Sequence, residues 1–139
     1  MGNSGSRSIM KANHEDMSGP HPHAGGPCII STLGDHQQDV LIVNTVSCAE
    51  ETAKVDTAIK SGRSIVIYGR NSNDDSIYRK YDQIVALGHK NVYVYPGGLF
   101  EWLLLQDVFG EEAFQTTKKT LDILSYKPRS HMNIKYLEN

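Results

Sequence analysis

The 139-residue sequence is poor in cysteine and tryptophan, and it has no long apolar run and almost no excess charge of either sign. Its two cysteines, Cys28 and Cys48, make neither a disulfide framework nor a paired-cysteine metal site. With 14 basic against 16 acidic residues, a strongly basic nucleic-acid binder is excluded as the default. The apolar run around Leu103-Leu104-Leu105 falls far short of the ~20 residues a membrane span needs. The first residues are rich in Gly, Ser and Asn without an apolar stretch, so no secretory leader is expected. What remains is a length of the order of one domain.

The near-neutral total averages three unlike parts. Residues 1–27 are small and polar, broken by Pro20, Pro22 and Pro27, and their charges cancel. No helical or strand period survives there, which predicts an extended or disordered arm. Residues 28–117 carry 7 basic against 12 acidic side chains, and these are the expected domain. Residues 118–139 carry 5 basic against 2 acidic side chains among scattered apolar ones, and read as a basic tail that docks on something.

Within 28–117, apolar β-branched runs at Cys28–Leu33, Val40–Val46, Ser64–Tyr68 and Asn91–Tyr95 predict strands. They do not alternate cleanly, as expected of strands covered on both faces. Ser47 with Glu50 three residues on predicts a capping box, and a helix from there to about Lys60 ends at Ser61-Gly62. Ile77, Tyr81, Ile84 and Val85 share one face of a second helix, and Leu99–Val108 is an apolar third around Trp102. Strands alternating with helices imply an α/β fold with a parallel sheet.

Between the central strand and the second helix lies the loop Gly69-Arg70-Asn71-Ser72-Asn73-Asp74-Asp75. This is where an α/β protein places its chemistry, because helix N-termini and turned backbone N–H groups there make an anion site. The run IVIYGRNSNDDSIYRKYDQIVALGHKNVYVYPGGLFEW, with its strand-to-loop step, its LGHKNVYVYPGG segment and the Trp that follows, resembles the C-terminal half of a rhodanese-like domain. The upstream VLIVNTV run is similar to that family's second structural strand. The resemblance spans roughly 28–117 and implies a three-layer α/β fold with a mainly parallel sheet of four to five strands flanked by helices.

Active members of that family carry a Cys directly after the central strand and a basic residue closing the loop. Here the Cys position is Gly69, and the closing positions are Asp74 and Asp75. Glycine has no side chain to act as a nucleophile. Carboxylates at a helix N-terminus would repel thiosulfate or phosphate, and they are expected to cap the helix. Arg70 alone does not replace both functions. The resemblance therefore implies a divergent, inactive branch: not an enzyme, with a degenerate loop at 69–75, no catalytic residue and no cofactor or metal.

Other chemistry-bearing residues have simpler readings. The helical spacing of Cys48 with Val55 and Ile59 predicts a core position, and Cys28 is likewise expected to be buried. His14, His21 and His23 lie in the expected arm without a fixed third ligand; His36 and His89 fall in expected turns and are read as solvated. Tyr68, Tyr93 and Tyr95 are expected to pack in the core. Met1-Gly2-Asn3-Ser4-Gly5-Ser6 matches the myristoylation pattern at Gly2, although one acyl chain needs a second signal for stable anchoring.

The function expected from the sequence is a non-catalytic binding or structural module in the cytoplasm, holding protein partners of a larger assembly through residues 1–27 and 118–139. A cytoskeletal or ciliary assembly and a large virion are homes of that kind. Two alternatives are a membrane-proximal adaptor carrying myristate at Gly2, and a sulfurtransferase with an unorthodox nucleophile at Cys48.

Overall fold

A computed structural model describes residues 9–18, 26–34 and 37–130. Three four-residue strands, β1 (Cys28–Ser31), β2 (Ile65–Tyr68) and β3 (Val92–Tyr95), form a parallel sheet in the order β1-β2-β3. Its register pairs Ile29 with Val66 and Val66 with Tyr93. The helices are α1 (His14–Ser18), α2 (Glu51–Ser61), α3 (Ser76–Ala86) and α4 (Gly98–Phe109).

Side chains alternate along each strand, and the alternation builds two cores. Ile29, Val66, Tyr68 and Tyr95 face one way, against Leu99, Trp102 and Leu103 of α4 and against Leu41, Ile42 and Phe114. Cys28, Ile30, Ile65, Ile67, Val92 and Val94 face the other, against Val55 and Ala58 of α2 and Ile77, Tyr81 and Ile84 of α3. Both faces are covered, which is why no strand shows a polar side. The three-layer α/β arrangement is thus the expected one.

The sheet has three strands, fewer than the four to five expected. Val40–Val46 is the missing strand. Asn44 takes a left-handed backbone (φ 69°), and Thr45 N–H folds back to Ile42 O at 3.1 Å, so the run turns instead of extending. Only single bridges remain, Ile29 to Thr45 and Ile42 to Thr116. Its apolar residues reflect burial, since Val40, Leu41 and Ile42 are all in the core. The chain also departs from a free arm at 9–18. Lys11 bridges Val94, Ala12 N–H donates to Val94 O at 2.8 Å, and Ala12 and Met17 are buried.

Local chemistry sets the helix ends. Gly62 closes α2 in a left-handed conformation (φ 75°), with Arg63 N–H on Ala58 O at 2.9 Å. The predicted capping box does not form. Cys48–Glu50 is a 3-10 turn ahead of α2, and Ser47 makes no side-chain cap. His89 is buried rather than solvated, its Nε2–H donating to Arg63 O at 2.8 Å. No helix of the described residues is long and apolar enough to cross a membrane.

Candidate functional site

The loop 69–75 leaves the carboxyl end of β2 in the middle of the sheet and runs into the first turn of α3. Its backbone is a nest of N–H groups, and the chain's own carboxylate fills it. Asp74 Oδ2 accepts the Arg70 N–H at 2.9 Å, while Oδ1 accepts the Ser76 N–H at 3.1 Å and the Ser76 hydroxyl. Ser76 Oγ also reaches Thr32 Oγ1 at 2.6 Å, tying the nest to the end of β1. Burial pushes the Asp74 carboxyl up, but the Ser76 hydroxyl, the Arg70 and Ser76 N–H groups and the charge of Arg79 outweigh it and hold it below the ordinary value.

Gly69 stands beside that carboxylate. A Cβ added there would lie 2.8 Å from Asp74 Cγ, closer still to Oδ2, and 3.0 Å from Thr32 Oγ1. Glycine is therefore the residue that lets Asp74 enter the nest. Of the two acidic residues expected to cap α3, Asp74 serves the Ser76 N–H and Asp75, at the cap position itself, makes no side-chain cap. Ser72 and Asn73 are exposed at the tip, with Asn73 N–H on Asn71 Oδ1 at 3.0 Å.

The outer side of the loop is closed by α4. Gly98, at φ 65°, brings its backbone against the loop: a Cβ there would lie 2.7 Å from Gly69 O and 3.0 Å from Asn71 N. The close approach lets Leu99 N–H donate to Gly69 O and Phe100 N–H to Arg70 O, both at 2.9 Å. Two of the N–H groups at the start of α4 are thereby spent on loop carbonyls.

The two loop side chains left over engage the C-terminal segment. Arg70 Nη2–H donates to Ser125 O, and the guanidinium lies 4.6 Å from the centre of the Tyr126 ring. Asn71 Nδ2–H donates to Tyr126 O at 2.9 Å. The basic tail, expected to dock on something, touches this loop. Sequence reasoning did not single out Ser125 and Tyr126; the signal was a tyrosine next to a proline-bounded basic stretch, Tyr126-Lys127-Pro128.

The remaining candidates are scattered. Cys28 is buried, as expected, and burial pushes its thiol up. Cys48 is exposed, contrary to its expected core position, because it opens the 3-10 turn that precedes α2, whose packed face begins only at Val55. It lines a cleft of about 390 Å³ with Thr32, Glu51, Ser76, Arg79 and Lys80. Tyr68 and Tyr95 are fully buried and Tyr93 is half-buried. His14 packs its ring 5.4 Å from that of Phe114. Gly2, His21, His23, His36 and residues 131–139 lie outside the described residues.

No curated protein sequence matches the chain. A family model described as a rhodanese-like domain matches residues 37–105, a span that holds β2, β3 and the whole of the 69–75 loop.

Proposed function

Since the chain carries a rhodanese-like domain, we propose that it uses it as a non-catalytic binding or structural module, whose family loop holds protein segments in place of a sulfur atom. One observation carries this reading: the Asp74 carboxylate occupies the N–H nest beside Gly69. A nucleophile at that position would lack both its side chain and its space. An incoming anion would meet a fixed negative charge where the family's chemistry needs a positive one. The loop's two outward donors, on Arg70 and Asn71, are engaged with main-chain carbonyls, which is protein–protein chemistry. Partners of the module are proteins, met through residues 1–27 and 118–139.

A second reading makes the chain a sulfurtransferase with Cys48 as nucleophile, and the exposure of Cys48 on a cleft with Arg79 and Lys80 favours it. Thiosulfate-to-cyanide transfer by the full chain separates the two. The first reading expects no turnover above the protein-free rate. Turnover that disappears in Cys48→Ala would replace it with the second.

A further inference from the structure

Residues 111–130 leave the end of α4 and cross back over it. Thr117 pins this return, with its N–H on Leu41 O at 2.8 Å and its Oγ1 accepting from Leu41 N–H at 3.0 Å. Five residues later, Asp122 starts a tight turn. Ser125 N–H and Oγ both reach Asp122 O, and Lys127 N–H reaches Leu124 O at 3.2 Å, around the 3-10 helix Ile123–Tyr126. Positions three apart in a 3-10 helix share a face. Accordingly Ile123 and Tyr126 pack together on the α4 side of the core, while Leu121 and Leu124 point away, 88% and 63% exposed.

The way this turn is held differs from the way the fold is held. Among the described residues, no backbone–backbone hydrogen bond joins 122–127 to another element. Two side-chain donors hold two consecutive main-chain carbonyls, and a guanidinium covers one ring. Asn71 is a preset donor: it is buried, and its Oδ1 accepts the Asn73 N–H, which fixes the amide with Nδ2 toward the turn. The loop carrying both donors is itself braced by Asp74 and by the start of α4. Side-chain donors on main-chain carbonyls, with a guanidinium over one aromatic ring, can hold a separate peptide segment by the same contacts. The turn can leave without breaking any strand pairing.

We infer that Arg70 and Asn71 form a peptide-docking seat, occupied in the resting chain by its own turn 122–127. In trans the seat takes a protein segment of the same chemistry: a tight turn presenting two consecutive carbonyls, an aromatic ring for Arg70, and an aliphatic anchor three residues earlier. This rests on the reading of the loop as a binding element, and it names the site and the class of partner. The tether is short, only residues 118–121, so the internal turn acts at an effective concentration of about millimolar and excludes weaker segments. A partner gains access by outcompeting it.

The test uses the full chain. A fluorescent peptide of residues 120–130 is titrated with the wild type and with a chain carrying Ile123→Ala and Tyr126→Ala, which loosens the internal turn. The loosened chain is expected to bind the peptide at least about tenfold more tightly than the wild type. Adding Arg70→Ala and Asn71→Ala should abolish that gain, as should replacing Tyr126 by Ala in the peptide. Equal binding by the loosened and wild-type chains, or binding that survives loss of both loop donors, would overturn the proposal. Hydrogen exchange on the unmodified chain gives an independent reading. The amides of Ser125 and Lys127 should exchange by an opening that leaves Val66 and Ile67 protected; exchange at one common rate would equally overturn it. The peptide titration contains no sulfur donor, so sulfur transfer by the wild type would sink the non-catalytic reading without affecting this result.

Discussion

Asp74 and Gly69 are fitted to each other. The carboxylate reaches the Arg70 N–H at 2.9 Å only because the neighbouring residue has no Cβ, which would stand 2.8 Å from Asp74 Cγ. A thiol at position 69 thus faces a steric and an electrostatic obstacle at once. Gly69→Cys should lower stability by about 1–3 kcal/mol, the usual cost of overpacking. It should also give no thiosulfate-to-cyanide turnover, since a thiolate beside a carboxylate is disfavoured. Denaturant melts and the transfer assay check the two halves. Turnover from this single change would mean that Asp74 yields its place.

The same carboxylate makes stability depend on pH with a definite sign. Its hydrogen bonds and Arg79 hold the folded carboxyl below its unfolded value. The contribution is therefore complete above the ordinary carboxylate range and is lost as pH falls through that range toward the lower folded value. Asp74→Asn keeps the shape, removes the charge and turns an NH2 toward one of the two N–H donors. At neutral pH it should cost about 1 kcal/mol, the low end for a charge-assisted pair, because solvent reaches part of the group. The gap between wild type and Asp74→Asn should narrow as pH falls through the ordinary carboxylate value and on toward the lower folded one. Urea titrations across that range measure it, and a gap that widens on acidification would reverse the assignment.

Gly98 is the counterpart of Gly69 on the other side of the loop. Its backbone is left-handed and its missing Cβ makes room for Gly69 O and Asn71 N, whereas Gly88, also left-handed at φ 98°, has nothing within 4 Å of such an atom. Gly88→Ala should cost about 1–2 kcal/mol, for the backbone alone. Gly98→Ala adds a collision with main-chain atoms and should cost about 1–3 kcal/mol more. It should also weaken the hold on residues 122–127, because Arg70 and Asn71 move with the loop. Thermal melts and exchange at Ser125 read the two effects, and equal losses for the two variants would contradict the close-approach argument.

Much of the architecture was legible in the sequence because it follows from short-range rules. Apolar β-branched runs gave β1, β2 and β3, helical spacing gave the packed face of α3, and Gly62 marked the end of α2. The run Val40–Val46 misled because burial and strand both favour the same residues; only the left-handed Asn44 separates them, and an Asn reads equally well in either setting. Cys48 misled by one helical turn, since α2 starts at Glu51 and its spacing does not extend back through a 3-10 segment. At the loop, Gly69 and the acidic pair were plain from residue identity. That Asp74 turns inward to the Arg70 N–H and Asp75 does not was not legible, because both side chains are equally able to cap. The contacts of Arg70 and Asn71 with Ser125 and Tyr126 span 55 residues, a separation at which no local pattern carries information.

Two buried tyrosines on the same face of the sheet offer a matched comparison. Tyr68 Oη accepts the Ile42 N–H at 3.1 Å and shares a 2.7 Å bond with Thr45 Oγ1, anchoring the turn that replaces the missing strand. Burial pushes its hydroxyl up to about 12, against the opposing effect of those two bonds. Tyr95 Oη is also buried and has no partner at full hydrogen-bond geometry, its nearest acceptor being the solvent-exposed Glu101 carboxylate; burial, and then the pull of that carboxylate on the hydroxyl proton, push its ionisation upward. Removing the first hydroxyl orphans a buried backbone N–H, whereas removing the second orphans nothing. Tyr68→Phe should therefore cost about 1–3 kcal/mol and loosen the 40–46 segment, while Tyr95→Phe should stay within about 0.5 kcal/mol of wild type or gain slightly. Paired denaturant melts decide it, and a larger loss for Tyr95→Phe than for Tyr68→Phe would show that Tyr95, not Tyr68, holds the polar anchor of this core.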